Sequence, residues 1–323
     1  MDEGTSGRHS AVAQDERVLT ERHLVRVRAD ETVVATLFLP VPGVAVTGHP
    51  VVIGGATAVA QRYYARFAEY LAASGRPTLT FDYRGIAQSA PLNLSDSHVR
   101  FRDWGIIDVP AVLEWTAARF NTPAIDWVGH SYGGFATGLA HNNHLICRQF
   151  AVSSMVADIR LLRDFATQVS VATQLFVLGP IVAHTLGYVP GRFVGGVGLP
   201  KHAALEWGRW VRTKDFMFGA PDLPELRYFT SLKAPVCFAF TDDDAWVSEK
   251  GVRRLAQKYT VSPERSIWKI PARQFSPGRP IGHIGFFRSE FAATLWPETL
   301  AWLDGRKTLG EPLIAAVRDD TTS

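Results

Sequence analysis

From Pro50 onward the chain alternates short apolar runs with stretches of helical length, and this rhythm limits its fold more than any other feature. The runs PVVIGG (residues 50–55), PTLTFD (77–82) and AIDWVG (124–129) are separated by amphipathic stretches over residues 59–74 and 101–119. Continuous apolar runs suit strands buried on both faces, and parallel strands need a crossover of helical length. A β-rich pair, residues 23–28 and 32–40 on either side of Ala29, Asp30 and Glu31, reads as an opening hairpin. The alternation continues with a helix over 133–144 and a strand at 149–154. It resumes with a strand at 235–240, a helix over 247–259, a strand at 266–270 and a helix over 286–303. The expectation is an α/β protein with a mostly parallel eight-stranded sheet and helices on both faces.

Residues 155–233 interrupt the pattern. They are rich in Gly, Pro, Trp and Phe, and read as a helical cap inserted between core segments 21–154 and 234–310. Residues 1–20 and 311–323 read as flexible tails, the first lacking the basic start and apolar stretch of a secretory signal. Within the insertion, residues 166–191 carry no charge apart from His184 and are long enough to cross a bilayer. Gln168, Gln174, Gly179, Pro180, His184 and Gly187 count against a span, so two short buried helices meeting at Gly179 and Pro180 are expected, without membrane association.

Bulk chemistry narrows the partners. The 34 basic and 31 acidic residues leave a formal charge of +3 spread along the chain, with no basic run, so a nucleic-acid partner is not expected. Cys147 and Cys237 are far apart and fit no metal or redox spacing, which predicts reduced, buried thiols and a cytoplasmic location. A small-molecule substrate is the expected partner; no cofactor or metal is implied, and a homodimer is compatible with the sequence.

The run at 125–134, IDWVGHSYGG, ends in Gly-x-Ser-x-Gly between a strand and a helix. In that setting Ser131 sits on a sharp strand-to-helix turn, the glycines two positions to either side, Gly129 and Gly133, let the strand and helix approach without a Cβ in the way, and the N–H of Tyr132 faces the place where an oxyanion would form. A serine needs a base and a group to orient that base, drawn from the ends of later strands. Asp242, Asp243 and Asp244 follow the strand at 235–240, and His283 lies in the loop after the strand at 266–270, in the order Ser, Asp, His. His130 reads as an elbow-shaping residue, and His141 and His144 as exposed side chains.

FDYRGIAQS (81–89), GHSYGG (129–134), TDDDAWV (241–247) and GHIGFF (282–287) together resemble the alpha/beta hydrolase superfamily, in its lipase-like or serine aminopeptidase-like branch. The resemblance covers nearly the whole chain outside the tail and the cap. It implies an alpha/beta hydrolase fold with a Ser131, His283 and Asp244 triad, Asp244 holding the place of the acid, and no cofactor. Relatives often carry His-Gly after the third strand, whereas this chain has Gly54 and Gly55, so the first oxyanion N–H falls to Ala56 or Thr57. Ala87 stands where a second glycine is usual. Asp82 and Arg84 are expected to pin a loop through a salt bridge.

The expected chemistry is cleavage of a carboxylic ester, or a related acyl bond, through an acyl-enzyme. An acyltransferase, thioesterase or small-peptide hydrolase would use the same three residues, and a binding protein on the same fold is the reading from another class. Phe176, Trp207, Trp210 and Trp246 are the expected substrate contacts. Leu175, Val177, Leu178, Ile181, Val182, Phe216 and Phe218 complete an apolar lid.

Overall fold

The computed structural model describes residues 18–313. Its main sheet contains β1 (Val18–Arg26), β2 (Thr32–Pro40), β3 (Val51–Gly54), β4 (Thr78–Phe81), β5 (Ile125–His130) and β6 (Ile146–Val152). A separate two-stranded piece pairs β7 (Tyr188–Val189) with β8 (Leu199–Pro200), and the main sheet then resumes with β9 (Val236–Thr241), β10 (Arg265–Ile270) and β11 (Glu311–Pro312). The order across the sheet is β1-β2-β4-β3-β5-β6-β9-β10-β11. The six strands from β4 to β10 run parallel, β1 and β2 are antiparallel at one edge, and β11 is antiparallel at the other.

The period-two alternation of strand side chains builds two cores. Val52 and Trp127 point to one face, with Leu79 and Val112, while Val51, Ile53 and Val128 point to the other, against Phe67, Leu71 and Phe150. Helices Ala65–Ala73 and Leu295–Leu303 cover the second face; helix Val109–Phe120 and the inserted segment cover the first.

Several expectations change. The sheet has nine strands rather than eight, because Glu311 and Pro312 pair with Ile267 and Ser266. Gly310 permits this: its φ is 72°, and a Cβ there would lie 2.2 Å from the Ile267 carbonyl oxygen. β11 therefore lies in the expected C-terminal tail, and β1 begins inside the expected N-terminal one; residues 1–17 and 314–323 fall outside the described residues. The helix expected over 133–144 is only Gly133–Ala136, followed by single turns at Thr137–Leu139 and Asn143–Leu145. Gly138 has no room for a side chain against the Phe229 ring, and Ala140 is already extended. The last helix starts at Leu295 rather than 286, with Pro297 in its first turn, where no donor is required.

The largest departure is in the insertion. Residues 155–233 add no strand to the main sheet, and residues 166–191 do not form two short buried helices. One helix, Phe165–Leu186, runs through Gly179 and Pro180, and most of its side chains are exposed or half-exposed. The turn before Gly179, Thr173–Leu178, is π-helical, a widened turn that accommodates the missing Pro180 donor. Asp164 caps the start by accepting from Thr167 N at 2.8 Å, and Gly187, at φ 79°, ends it.

Candidate active site

The turn between β5 and helix Gly133–Ala136 is shaped by close backbone approach. A Cβ on Gly133 would sit 2.0 Å from the Gly54 carbonyl oxygen, and one on Gly129 would sit 2.2 Å from the Gly133 carbonyl oxygen. Ser131 is left at φ 51°, a left-handed conformation that costs about 1–3 kcal/mol for a residue with a side chain. Its N–H donates to Val152 O at 2.8 Å, and its carbonyl accepts from Ser154 Oγ at 2.8 Å, so the strained residue is tied to the end of β6. Gly54 is explained by packing: a Cβ there would meet the Trp127 indole at 2.3 Å, and that indole donates to Gly133 O at 2.8 Å.

β9 and the loop after β10 bring the other residues to this turn. His283 Nε2 lies 3.1 Å from Ser131 Oγ, and His283 Nδ1 lies 2.9 Å from Asp244 Oδ2. Asp244 Oδ1 accepts from the N–H groups of Trp246 and Val247 at 2.9 and 3.2 Å. Burial alone would push this carboxyl up, but the His283 charge and hydrogen bond, with the two backbone donors, hold it below the ordinary carboxylate value. Of the three acids, Asp244 is thus the one facing the imidazole. Asp242 accepts from Ala272 N at 2.9 Å. Asp243 accepts from Ile281 N and Gly282 N at 2.9 and 3.0 Å, holding the approach to His283.

The loop at 281–284 is also held by Tyr63, and through His130 by Tyr64; the two tyrosines were missed by sequence reasoning, and His130 was read only as shaping the elbow. Tyr63 Oη donates to Ile284 O at 2.6 Å. His130 Nε2 lies 2.9 Å from His283 O, which can only accept, so this nitrogen carries the proton. His130 Nδ1 then accepts from Tyr64 Oη at 2.9 Å, and Tyr64 Oη accepts from Ala56 N at 2.8 Å. Burial, with the nearby His283, lowers His130 to about 3 and keeps it neutral.

This chain of bonds corrects one expectation. The Ala56 N–H is committed to Tyr64, so Ala56 is not a free donor, and Thr57 remains of the two residues considered. Both Thr57 and Tyr132 line the cavity beside Ser131, and among the described residues neither N–H meets a hydrogen-bond acceptor. The Tyr132 ring is buried behind the turn, where its hydroxyl donates to Phe101 O and accepts from Gly105 N at 2.8 and 2.9 Å.

The cavity itself has a volume of about 300 Å³ and is walled chiefly by apolar side chains. Trp207 and Trp246, both expected, are in its wall, as is Phe216. Trp210 is not: it is fully buried between Phe101 and Phe216. Phe176 is not in the wall either and lies beneath the Arg212 guanidinium, 5.8 Å away. Phe101, Leu162, Val171 and Val211 contribute without having been singled out. Asp82 and Arg84 do not pair with each other. Asp82 accepts from Gln61 N and Gln88 N, whereas Arg84 bonds Asp108 at 2.6 Å and also reaches Glu31. Ala87, at φ 42°, adopts the left-handed conformation that its glycine counterpart would take without strain. His141 and His144 are exposed, Cys237 is buried and Cys147 half-buried.

No family model and no curated protein sequence matches this chain. Solved structures do. A soluble variant of monoglyceride lipase from Saccharomyces cerevisiae, in complex with a substrate analogue, aligns at a TM-score of 0.59 and 17% identity, over 90% of this chain and 96% of the lipase. An esterase from Pyrococcus furiosus gives 0.56 and 16%, over 93% and 95% of the two chains. The esterase domain of a Rhodothermus marinus protein gives 0.54 and 16%, over 89% and 98%. Agreement across so much of each chain at such low identity reports backbone architecture, and that architecture is the alpha/beta hydrolase fold.

Proposed function

We propose that this protein is a serine hydrolase that cleaves carboxylic esters of small, largely apolar compounds through an acyl-enzyme. The observation that carries this reading is the hydrogen-bonded line from Ser131 through His283 to Asp244, opening onto an apolar cavity. The Asp244 carboxylate accepts the His283 Nδ1 proton, leaving Nε2 free to take the proton of Ser131 Oγ as that oxygen attacks the ester carbonyl. The charge that develops on the carbonyl oxygen is met by the N–H groups of Tyr132 and Thr57. His283 then gives its proton to the departing alcohol. Water, activated by the same imidazole, releases the acid and restores Ser131.

The apolar wall around Trp207, Phe216 and Trp246 supports an apolar acyl or alcohol part, and the cavity volume is at the small end for a ligand site. Hydrolysis, rather than transfer to another acceptor, is the outcome expected with water alone. Incubation with a fluorophosphonate probe followed by peptide mapping tests the reading. The expected label is on Ser131, absent from Ser131→Ala and sharply reduced in His283→Ala. A folded protein that takes no label would overturn it in favour of a binding protein.

A further inference from the structure

Surface helices of water-soluble proteins carry charge on their outer face. Helix Phe165–Leu186 does not: no Asp, Glu, Lys or Arg occurs between Phe165 and Gly191. Its inner stripe, with Val171 and Ala183 buried, packs on the protein, and the crossing with helix Lys201–Arg212 is close enough that a Cβ on Gly208 would lie 2.8 Å from Leu175 O. The opposite stripe presents Phe165, Val169, Val177, Ile181 and Leu186 to the outside, with Phe165 at 78% exposure and Ile181 at 59%. The helix it packs on carries Lys201, Glu206, Arg209 and Arg212, which opposes burying the pair across a bilayer, whereas the outer stripe alone can lie on one.

Two further observations identify the surface it fits. The apolar stripe is continuous with the cavity at Ser131: Leu175 and Leu178 of the helix face a small cleft shared with Trp207 and Val194, and both of these also line the Ser131 cavity. The exposed charges around the stripe are mainly cationic. Arg163 precedes the helix, Arg192 follows it, and Arg212 lies over Phe176, against one carboxylate, the capping Asp164, which stays ionised beside Arg163. With three guanidinium groups to one carboxylate bordering the stripe, an anionic lipid surface complements its charge, whereas a second copy of the chain would present the same cationic excess.

We infer that the outer stripe of helix Phe165–Leu186 docks on an anionic lipid surface, with the helix in the interfacial plane. The docking rests on the surface geometry alone. Its consequence, that an apolar ester enters the cavity from the lipid side, rests on the proposed hydrolase reading.

Flotation of the Ser131→Ala protein with vesicles tests docking without requiring catalysis. The lipids are phosphatidylcholine alone and phosphatidylcholine mixed with phosphatidylserine. Binding is expected to both, tighter to the anionic vesicles and weakened by salt. Adding Val177→Asp and Ile181→Asp is expected to reduce the bound fraction at least about ten-fold. The same pair in an otherwise wild-type chain should leave hydrolysis of dissolved p-nitrophenyl butyrate unchanged and circular dichroism unaltered. Arg192→Glu, a milder surface change, should abolish the preference for phosphatidylserine. A chain that stays in the soluble fraction with both vesicles, or an aspartate pair that floats as well as its parent, would overturn the inference. So would a dimer that forms through Val177 and Ile181 and excludes vesicle binding.

Discussion

At the scale of single residues, the position of His283 depends on neighbours that hold the backbone on either side of it. Asp243 accepts from Ile281 and Gly282, and hydrogen bonds to a charged acceptor contribute about 1.5–3 kcal/mol each. Asp243→Ala should therefore lower kcat/KM for a p-nitrophenyl ester about ten- to a hundred-fold, with Asp243→Asn, which keeps one acceptor oxygen, between the two. Fluorophosphonate labelling should remain at Ser131. His130 gives a pH signature. Its folded value of about 3 lies below the ordinary histidine value of 6.5, so between these limits the unfolded chain binds the proton and the folded chain does not. The stability it contributes is present above pH about 6.5 and is lost as pH falls toward its folded value. Urea unfolding should show wild-type protein losing about 1.4 kcal/mol more than His130→Asn between pH about 7.5 and 5.5. Equal losses in both proteins would remove His130 from that role. Ser131 and Asp244 were legible in sequence because each closely follows a strand and carries a motif, and His283 because GHIGFF marks it in the loop after the last parallel strand. The occupied N–H of Ala56 was not, since it depends on how the Tyr64 hydroxyl reaches back across the following turn.

At the scale of elements, rotation around a helix separates residues that look equivalent in sequence. Trp207 and Trp210 sit three positions apart on helix Lys201–Arg212; one faces the Ser131 cavity, stacked at 6.2 Å on Trp246, and the other is sealed in the core. Trp210→Ala should cost about 3–5 kcal/mol of unfolding free energy in urea. Trp207→Ala should cost less stability and instead raise KM for short-chain esters, as the wall recedes from the acyl group. A panel of p-nitrophenyl esters, read beside the urea curves, checks the contrast. The strand-helix alternation was legible because strands buried on both faces are short and uniformly apolar. Helix Phe165–Leu186 was misread because its lack of charge suggested burial, and only its neighbours show which stripe is covered. The short helix after Ser131 was overextended for a related reason: the contact of Gly138 with Phe229 comes from a segment about ninety residues away.

At the scale of the molecule, the parallel order β3-β5-β6-β9-β10 sets the ends of β5, β9 and β10 along one rim, so residues more than a hundred positions apart meet without a long excursion of any strand. The insertion between β6 and β9 closes over that rim and supplies Leu162, Val171, Trp207, Val211 and Phe216 to the cavity wall. Sequence order made this topology readable, because consecutive strand-helix units have few ways to assemble a parallel sheet. The short β11 was beyond reach, since two residues carry no periodicity. The central claim is that Ser131, His283 and Asp244 act as one unit. The direct measurement is kcat/KM on p-nitrophenyl butyrate for His283→Ala, Asp244→Asn and the double variant. The expected result is a loss of about a thousand-fold or more for His283→Ala, with the double variant no slower than that single one. Near-wild-type activity in His283→Ala, or losses that multiply in the double variant, would contradict it.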